Sequence, residues 1–133
     1  MRWFLAAFCI ASPALAEEYI GFRSPTGNIH CAMYSWNGGA EARCDILELT
    51  PSFTKPPADC ELDWGRSFAV GESGKGVLFC VGDSVISPDN PVLGYGDALS
   101  LGGISCVSAK TGMTCTNGDG HGFSVAKARQ KLF

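Results

Sequence analysis

The sequence predicts an all-β fold: a small antiparallel sandwich or barrel stapled by three disulfides. Three observations carry this. Apolar residues fall in short runs that never sustain a helical period. Seventeen glycines and seven prolines punctuate those runs at close spacing, as strands joined by tight turns require. Seven cysteines are present, and six remain once Cys9 is assigned to an export leader. An even set in a small exported chain reads as a disulfide framework.

Residues 1–16 have the features of a cleaved secretory signal peptide. Arg2 supplies the positive start and Trp3 to Ile10 the apolar run. Ser12-Pro13 breaks the run, and Ala14-Leu15-Ala16 fits the small-x-small cleavage pattern. The run falls short of the roughly 20 residues that span a bilayer. Phe8 before Cys9 argues against lipidation, which wants small residues there. Residues 17–133 are thus expected to form a single disulfide-stapled β domain. It would be monomeric, without a membrane span, and located in the periplasm or outside the cell.

Tyr19 to Phe22 is the first strand candidate, and Ser24-Pro25-Thr26-Gly27 a turn. A hairpin over Asn28 to Ile46 follows, turning at Asn37-Gly38, a dipeptide favoured where both central residues need positive φ. A two-residue turn there sets Cys31 opposite Cys44, as a non-hydrogen-bonded pair close enough to bridge. The same register puts Ile29, Cys31, Met33, Ala42, Cys44 and Ile46 on one apolar face. His30, Tyr34, Glu41, Arg43 and Asp45 fall on the other, and a slip of one residue would mix the two. Pro51, Pro56 and Pro57 make Thr50 to Ala58 an extended surface connection.

Ser67 to Val70 and Val77 to Val81 come next, joined by the glycine-rich Gly71 to Gly76. Ser87 to Pro91 is a loop. Val92 to Tyr95, Ala98 to Leu101, Ile104 to Ser108, Met113 to Thr116 and Phe123 to Val125 are the later strand candidates. The tail from Lys127 to Phe133 is either a last strand or a short helix. A turn centred on Lys110-Thr111 pairs Cys106 with Cys115, which leaves Cys60 for Cys80. Closing such a loop contributes about 3 kcal/mol on the chain-entropy account. Ser24 to Cys31 (SPTGNIHC) faintly echoes Ser108 to Cys115 (SAKTGMTC), as two hairpins built alike would.

The formal net charge of −3 argues against nucleic acid and anionic lipid as partners, since both demand clustered Lys and Arg. Catalytic templates fail residue by residue. Gly71-Glu72-Ser73-Gly74-Lys75-Gly76 has its lysine in the wrong place for a phosphate loop and for a nucleophile elbow. Asn117-Gly118-Asp119-Gly120 lacks the flanking ligands of a calcium loop. No CxxC occurs, so no zinc knuckle or redox pair is suggested, and no cofactor is implied. His30, His121 and Asp45 are the weak metal candidates. In an extended chain Asp59, Glu61 and Asp63 share one face, which would suit a cationic partner, with Trp64 as an anchor beside it.

Phe22-x-Ser24-Pro25-x-Gly27-Asn28-Ile29-x-Cys31 is similar to the FxSPSGNIxC opening of a family of exported bacterial proteins, the domain of unknown function 6636. Arg43-Cys44-Asp45-Ile46, Asp59-Cys60-x-x-Asp63-Trp64-Gly65, Tyr95-Gly96, Thr114-Cys115-x-Asn117 and Gly120-His121-Gly122-Phe123 extend the resemblance over nearly all of residues 17–133, with Thr26 where serine is usual. The resemblance implies export and a shared fold, and no activity. The expected function is therefore an exported binding module for a protein or a cell-envelope polymer. Trp36, Glu61, Asp63, Trp64, Ser73, Lys75 and His121 are its contact candidates. One version is an inhibitor of an envelope-degrading enzyme, with Ser73-Gly74-Lys75 entering an acidic cleft. The alternative is a metal-binding periplasmic protein using His30 and His121, and the third reading is a small envelope hydrolase.

Overall fold

The computed structural model describes residues 17–133; the signal peptide and cleavage site expected from the sequence lie outside the described residues. Among the described residues ten strands form two separate five-stranded antiparallel sheets, a sandwich and not a barrel. The first sheet is β1 (Glu18–Arg23), β2 (Ile29–Trp36), β3 (Gly39–Ile46), β4 (Ser67–Gly71) and β5 (Val77–Leu78), in that spatial order. The second is β6 (Ala98–Leu101), β7 (Ile104–Ala109), β8 (Gly112–Thr116), β9 (Gly122–Val125) and β10 (Gln130–Leu132), also in chain order. Each sheet is a meander, with strands adjacent in sequence also adjacent in space; the long 47–66 connection still returns the chain so that β4 pairs with β3.

The core lies between the sheets, where β2, β3 and β4 face β6, β7 and β9. Phe22, Met33, Ile46, Phe68, Ile104, Met113 and Phe123 are its largest buried side chains. One transverse row of the first sheet reads Phe22, Cys31, Cys44, Phe68, Leu78. The matching row of the second reads Leu99, Cys106, Cys115, Phe123, Leu132. The halves thus repeat one plan: a disulfide joins the second and third strands, with a phenylalanine and then a leucine beyond it. The echo between SPTGNIHC and SAKTGMTC is out of phase with this plan, since it matches Cys31 with Cys115 and the structure matches Cys31 with Cys106.

All three expected disulfides are present: Cys31–Cys44, Cys60–Cys80 and Cys106–Cys115. The Asn37-Gly38 turn has the expected length and register, but only Gly38 has positive φ (108°). Two strand candidates contract. Val77 to Val81 keeps only Val77–Leu78 in the ladder before the chain leaves to cross the sheet's outer face, bridging Val81 to Asp63 on the way. Val92 to Tyr95 contributes a single parallel bridge to Arg23, then turns at Gly94, whose carbonyl accepts from Asp97 N at 3.0 Å. Pro91, which has no N–H, and the glycines at 94 and 96 keep it from pairing further. The tail forms a last strand, β10. Asp59 sits at φ 56°, so Asp59, Glu61 and Asp63 do not form one extended face.

Candidate functional site

The outward face of the first sheet carries three transverse rows. Arg23, His30, Asp45 and Ser67 make the first, and Gly21, Ala32, Arg43 and Ala69 the second. Both are roofed by the segment 79–92, which explains why His30, Arg43 and Asp45 are buried on the polar face. Small neighbours on either side give Arg43 a trench to lie in. Its Nε and Nη2 donate to the two oxygens of Asp45 at 2.9 and 3.0 Å. Its Nη1 reaches the Asp83 carboxylate at 2.8 Å, its Nη2 the Asp83 carbonyl at 2.9 Å, and its guanidinium lies 5.3 Å from the Phe79 ring. Val85 N at 3.0 Å and Ser84 Oγ at 3.3 Å complete the shell of Asp45.

Burial works against the Arg43 charge, but the hydrogen bonds it donates to Asp45 and Asp83, together with their negative charges, outweigh it and hold the proton more tightly than usual. The hydrogen bond from Arg43, then its charge, lowers the pKa of Asp83 from 3.8. A depressed carboxylate contributes stability above its unfolded pKa and loses it as pH falls through the folded one. The latch is therefore expected to be at full strength at neutral pH and to weaken progressively as pH falls from the ordinary aspartate range through the lower folded pKa. Amide exchange across residues 83–90 measures this, and protection that stays the same from neutral pH to strongly acid pH would contradict it.

His30 lies opposite Asp45 in register, yet its ring turns away from it. Nε2 donates to the Gly27 carbonyl at 3.0 Å, while Nδ1 accepts from Ser87 N at 3.4 Å and Asn90 Nδ2 at 3.2 Å. The two donors at Nδ1 fix the tautomer, and the imidazole pins the roof to the β1–β2 turn. His121 lies in the β8–β9 loop at the opposite end of the sandwich, so the two histidines are not brought together. Among the described residues no group of three His, Cys, Asp or Glu side chains is placed to hold a metal.

The third row is Tyr19, Tyr34, Glu41 and Gly71, and the roof stops short of it. Here Tyr19, Tyr34 and Trp36 line an open groove of about 580 Å³, with Glu17, Glu18, Arg43 and Asp83 at its edges. Tyr19 is 64% exposed and Trp36 43%. The Tyr34 and Trp36 rings are 5.8 Å apart and tilted by 30°. The indole lies over Gly39, its hairpin partner, where a Cβ would stand 2.7 Å from Cζ2. A glycine at 39 thus allows the ring to rest on the backbone. The Tyr34 hydroxyl is held neutral, its pKa raised by partial burial and by donating to the Glu41 carboxylate. Trp36 was legible in the sequence; Tyr19 and Tyr34 were not, although Tyr34-x-Trp36 has the spacing of side chains sharing one strand face.

The loops that carry Ser73 and Lys75 on one hand and His121 on the other meet at the end of the sandwich where the Trp36 hairpin turns. Asn117 arranges this: Nδ2 donates to the carbonyls of Gly71 (3.1 Å) and Gly74 (2.8 Å), and Oδ1 accepts from Asp119 N and His121 N. Both loops are therefore fixed, with Ser73 and Lys75 exposed and His121 partly buried. Glu61, Asp63 and Trp64 lie apart, near the start of β4, where Trp64 lines a small pocket with Leu49, Phe53 and Arg66. In the Ser24–Asn28 turn, Ser24 Oγ accepts from Ile29 N at 3.1 Å. The Asn28 side chain exchanges two hydrogen bonds with the backbone of Glu48. Those motif residues hold the turn.

The model of a family of unknown function, DUF6636, matches residues 4–133. No curated protein matches the chain, and no solved structure does.

Proposed function

We propose that this chain, which belongs to the DUF6636 family, is an exported binding module whose partner, a protein or a cell-envelope polymer, docks on the Tyr19–Tyr34–Trp36 groove. One observation carries the reading: three aromatic rings stand side by side on a sheet face, two of them substantially exposed, with Gly39 seating the indole. Rigid exposed aromatics lose little entropy on binding and dominate contact energies where they occur. Three disulfides, with no membrane-spanning helix among the described residues, are consistent with a periplasmic or extracellular setting. Export through a cleaved leader and a monomeric state are part of the proposal.

Purified residues 17–133 should capture a saturable partner from envelope extract or growth medium. Trp36→Ala is expected to weaken that capture roughly tenfold or more, as truncation of an aromatic anchor does, without moving the thermal midpoint. Undiminished capture by Trp36→Ala together with Tyr19→Ala would remove the groove from the reading.

A second reading has its own support. Asn117 pins the backbone of the 71–76 loop from inside, so Ser73 and Lys75 project from a preorganised tip. Such a tip suits insertion into the acidic cleft of an envelope-degrading enzyme. If so, molar excess of the domain should inhibit lysozyme, and Lys75→Glu should abolish the inhibition. Unchanged lysozyme activity would end this version.

A further inference from the structure

We infer that the groove takes an extended basic polypeptide segment, with Lys or Arg side chains laid over the aromatic rings; this rests on the groove being the binding face. Charge is the first ground. Among the described residues Arg43 is the one basic side chain lining the groove, and it is already engaged by Asp45 and Asp83. Glu17 and Glu18 stand at the mouth, and Glu41 sits behind Tyr34. Cleavage after Ala16 would add an α-ammonium at Glu17, and the carboxylates would still outnumber it. An electron-rich aromatic face bordered by carboxylates attracts ammonium and guanidinium groups through both the ring quadrupole and the net charge.

The second ground is the sheet edge. β1 is the outer strand of its sheet, paired with β2 on one side only. Arg23 bonds the 91–93 backbone on the free side, but Glu18 to Ile20 make no backbone hydrogen bond there to any of the described residues. These residues border the groove. A peptide adding there as a sixth strand would have its own outward side chains beside Tyr19, at the spacing of alternate residues. An open edge next to an acidic aromatic groove selects a polypeptide over a small cation or a neutral sugar chain.

The test uses isotope-labelled residues 17–133, titrated with pentalysine and separately with the neutral sugar N-acetylchitotetraose. Saturable pentalysine binding is expected, with shifts of the Trp36 indole and the Tyr19 and Ile20 amides. Glu18→Gln should weaken it about threefold or more, and raising salt from 50 to 300 mM (chosen conditions) should weaken it further, as exposed charge pairs are screened. Sugar binding at Trp36 without pentalysine binding would overturn the cationic inference and leave the groove as the binding face. Pentalysine binding that leaves Trp36 and Tyr19 unshifted would overturn the inference as well. The binding-module reading is judged separately, by capture of its partner by Trp36→Ala.

Discussion

Arg43→Ala is expected to cost about 3–5 kcal/mol of folding stability, the range for removing one partner of a buried ion pair. The two side chains are each 5% exposed, so the loss leaves the Asp45 carboxylate buried with no cation. Val85 N and Ser84 Oγ, at 3.0 and 3.3 Å, satisfy one of its oxygens and cannot replace the fork. Asp83 suffers less, because its side chain is 80% exposed and simply rehydrates. The variant also uncouples the roof from the sheet, since Arg43 is bonded to both. Urea unfolding measures the loss. Replacing both partners, as Arg43→Met with Asp45→Leu, should recover most of it, because the desolvation cost disappears with the charges. A loss below about 1 kcal/mol in Arg43→Ala would mean that water already reaches the pair.

Gly122→Ala is the second large effect, and here the cause is steric. A Cβ on Gly122 would lie 1.8 Å from the Cys115 carbonyl oxygen, at the end of the β8–β9 ladder where Gly122 pairs with Thr116. On its other side Gly122 exchanges hydrogen bonds with Phe133, whose carbonyl also accepts from Gly76 N at 3.1 Å. Gly76 is equally tight, with its own Cβ position 2.0 Å from Gly122 O. Backbone on both sides cannot yield as a side-chain tip would, so a loss above about 4 kcal/mol is expected, seen as failure to accumulate soluble protein. Gly118→Ala is the control: its Cβ would meet nothing within 4 Å, and its midpoint should stay near that of the wild type. Soluble Gly122→Ala with an unchanged midpoint would show that β8 and β9 can separate freely.

What was legible in the sequence followed from short-range geometry. A two-residue turn fixes every pairing along its hairpin, so Cys31–Cys44 and Cys106–Cys115 could be read from Asn37-Gly38 and Lys110-Thr111. Alternation separated the two faces of β2 and β3, but says nothing about what covers a face. That Arg43 and Asp45 lie under the 79–92 segment depends on contacts across about forty residues, and that segment has no period of its own. The clamp from Asn117 to Gly71 and Gly74 is just as distant, and an asparagine beside glycines looks like any other turn. The aromatic groove was half visible. Trp36 stood out by its type and its hairpin tip, while Tyr19 joins it only through the register of β1 on β2.

The disulfides link the cysteines in strict order along the chain: first to second, third to fourth, fifth to sixth, counting from Cys31. For a polypeptide threaded N-terminus first into an oxidising compartment, each thiol therefore meets its native mate before the next pair emerges. An oxidase joining thiols by order of arrival would make every correct bridge and leave nothing for an isomerase to reshuffle.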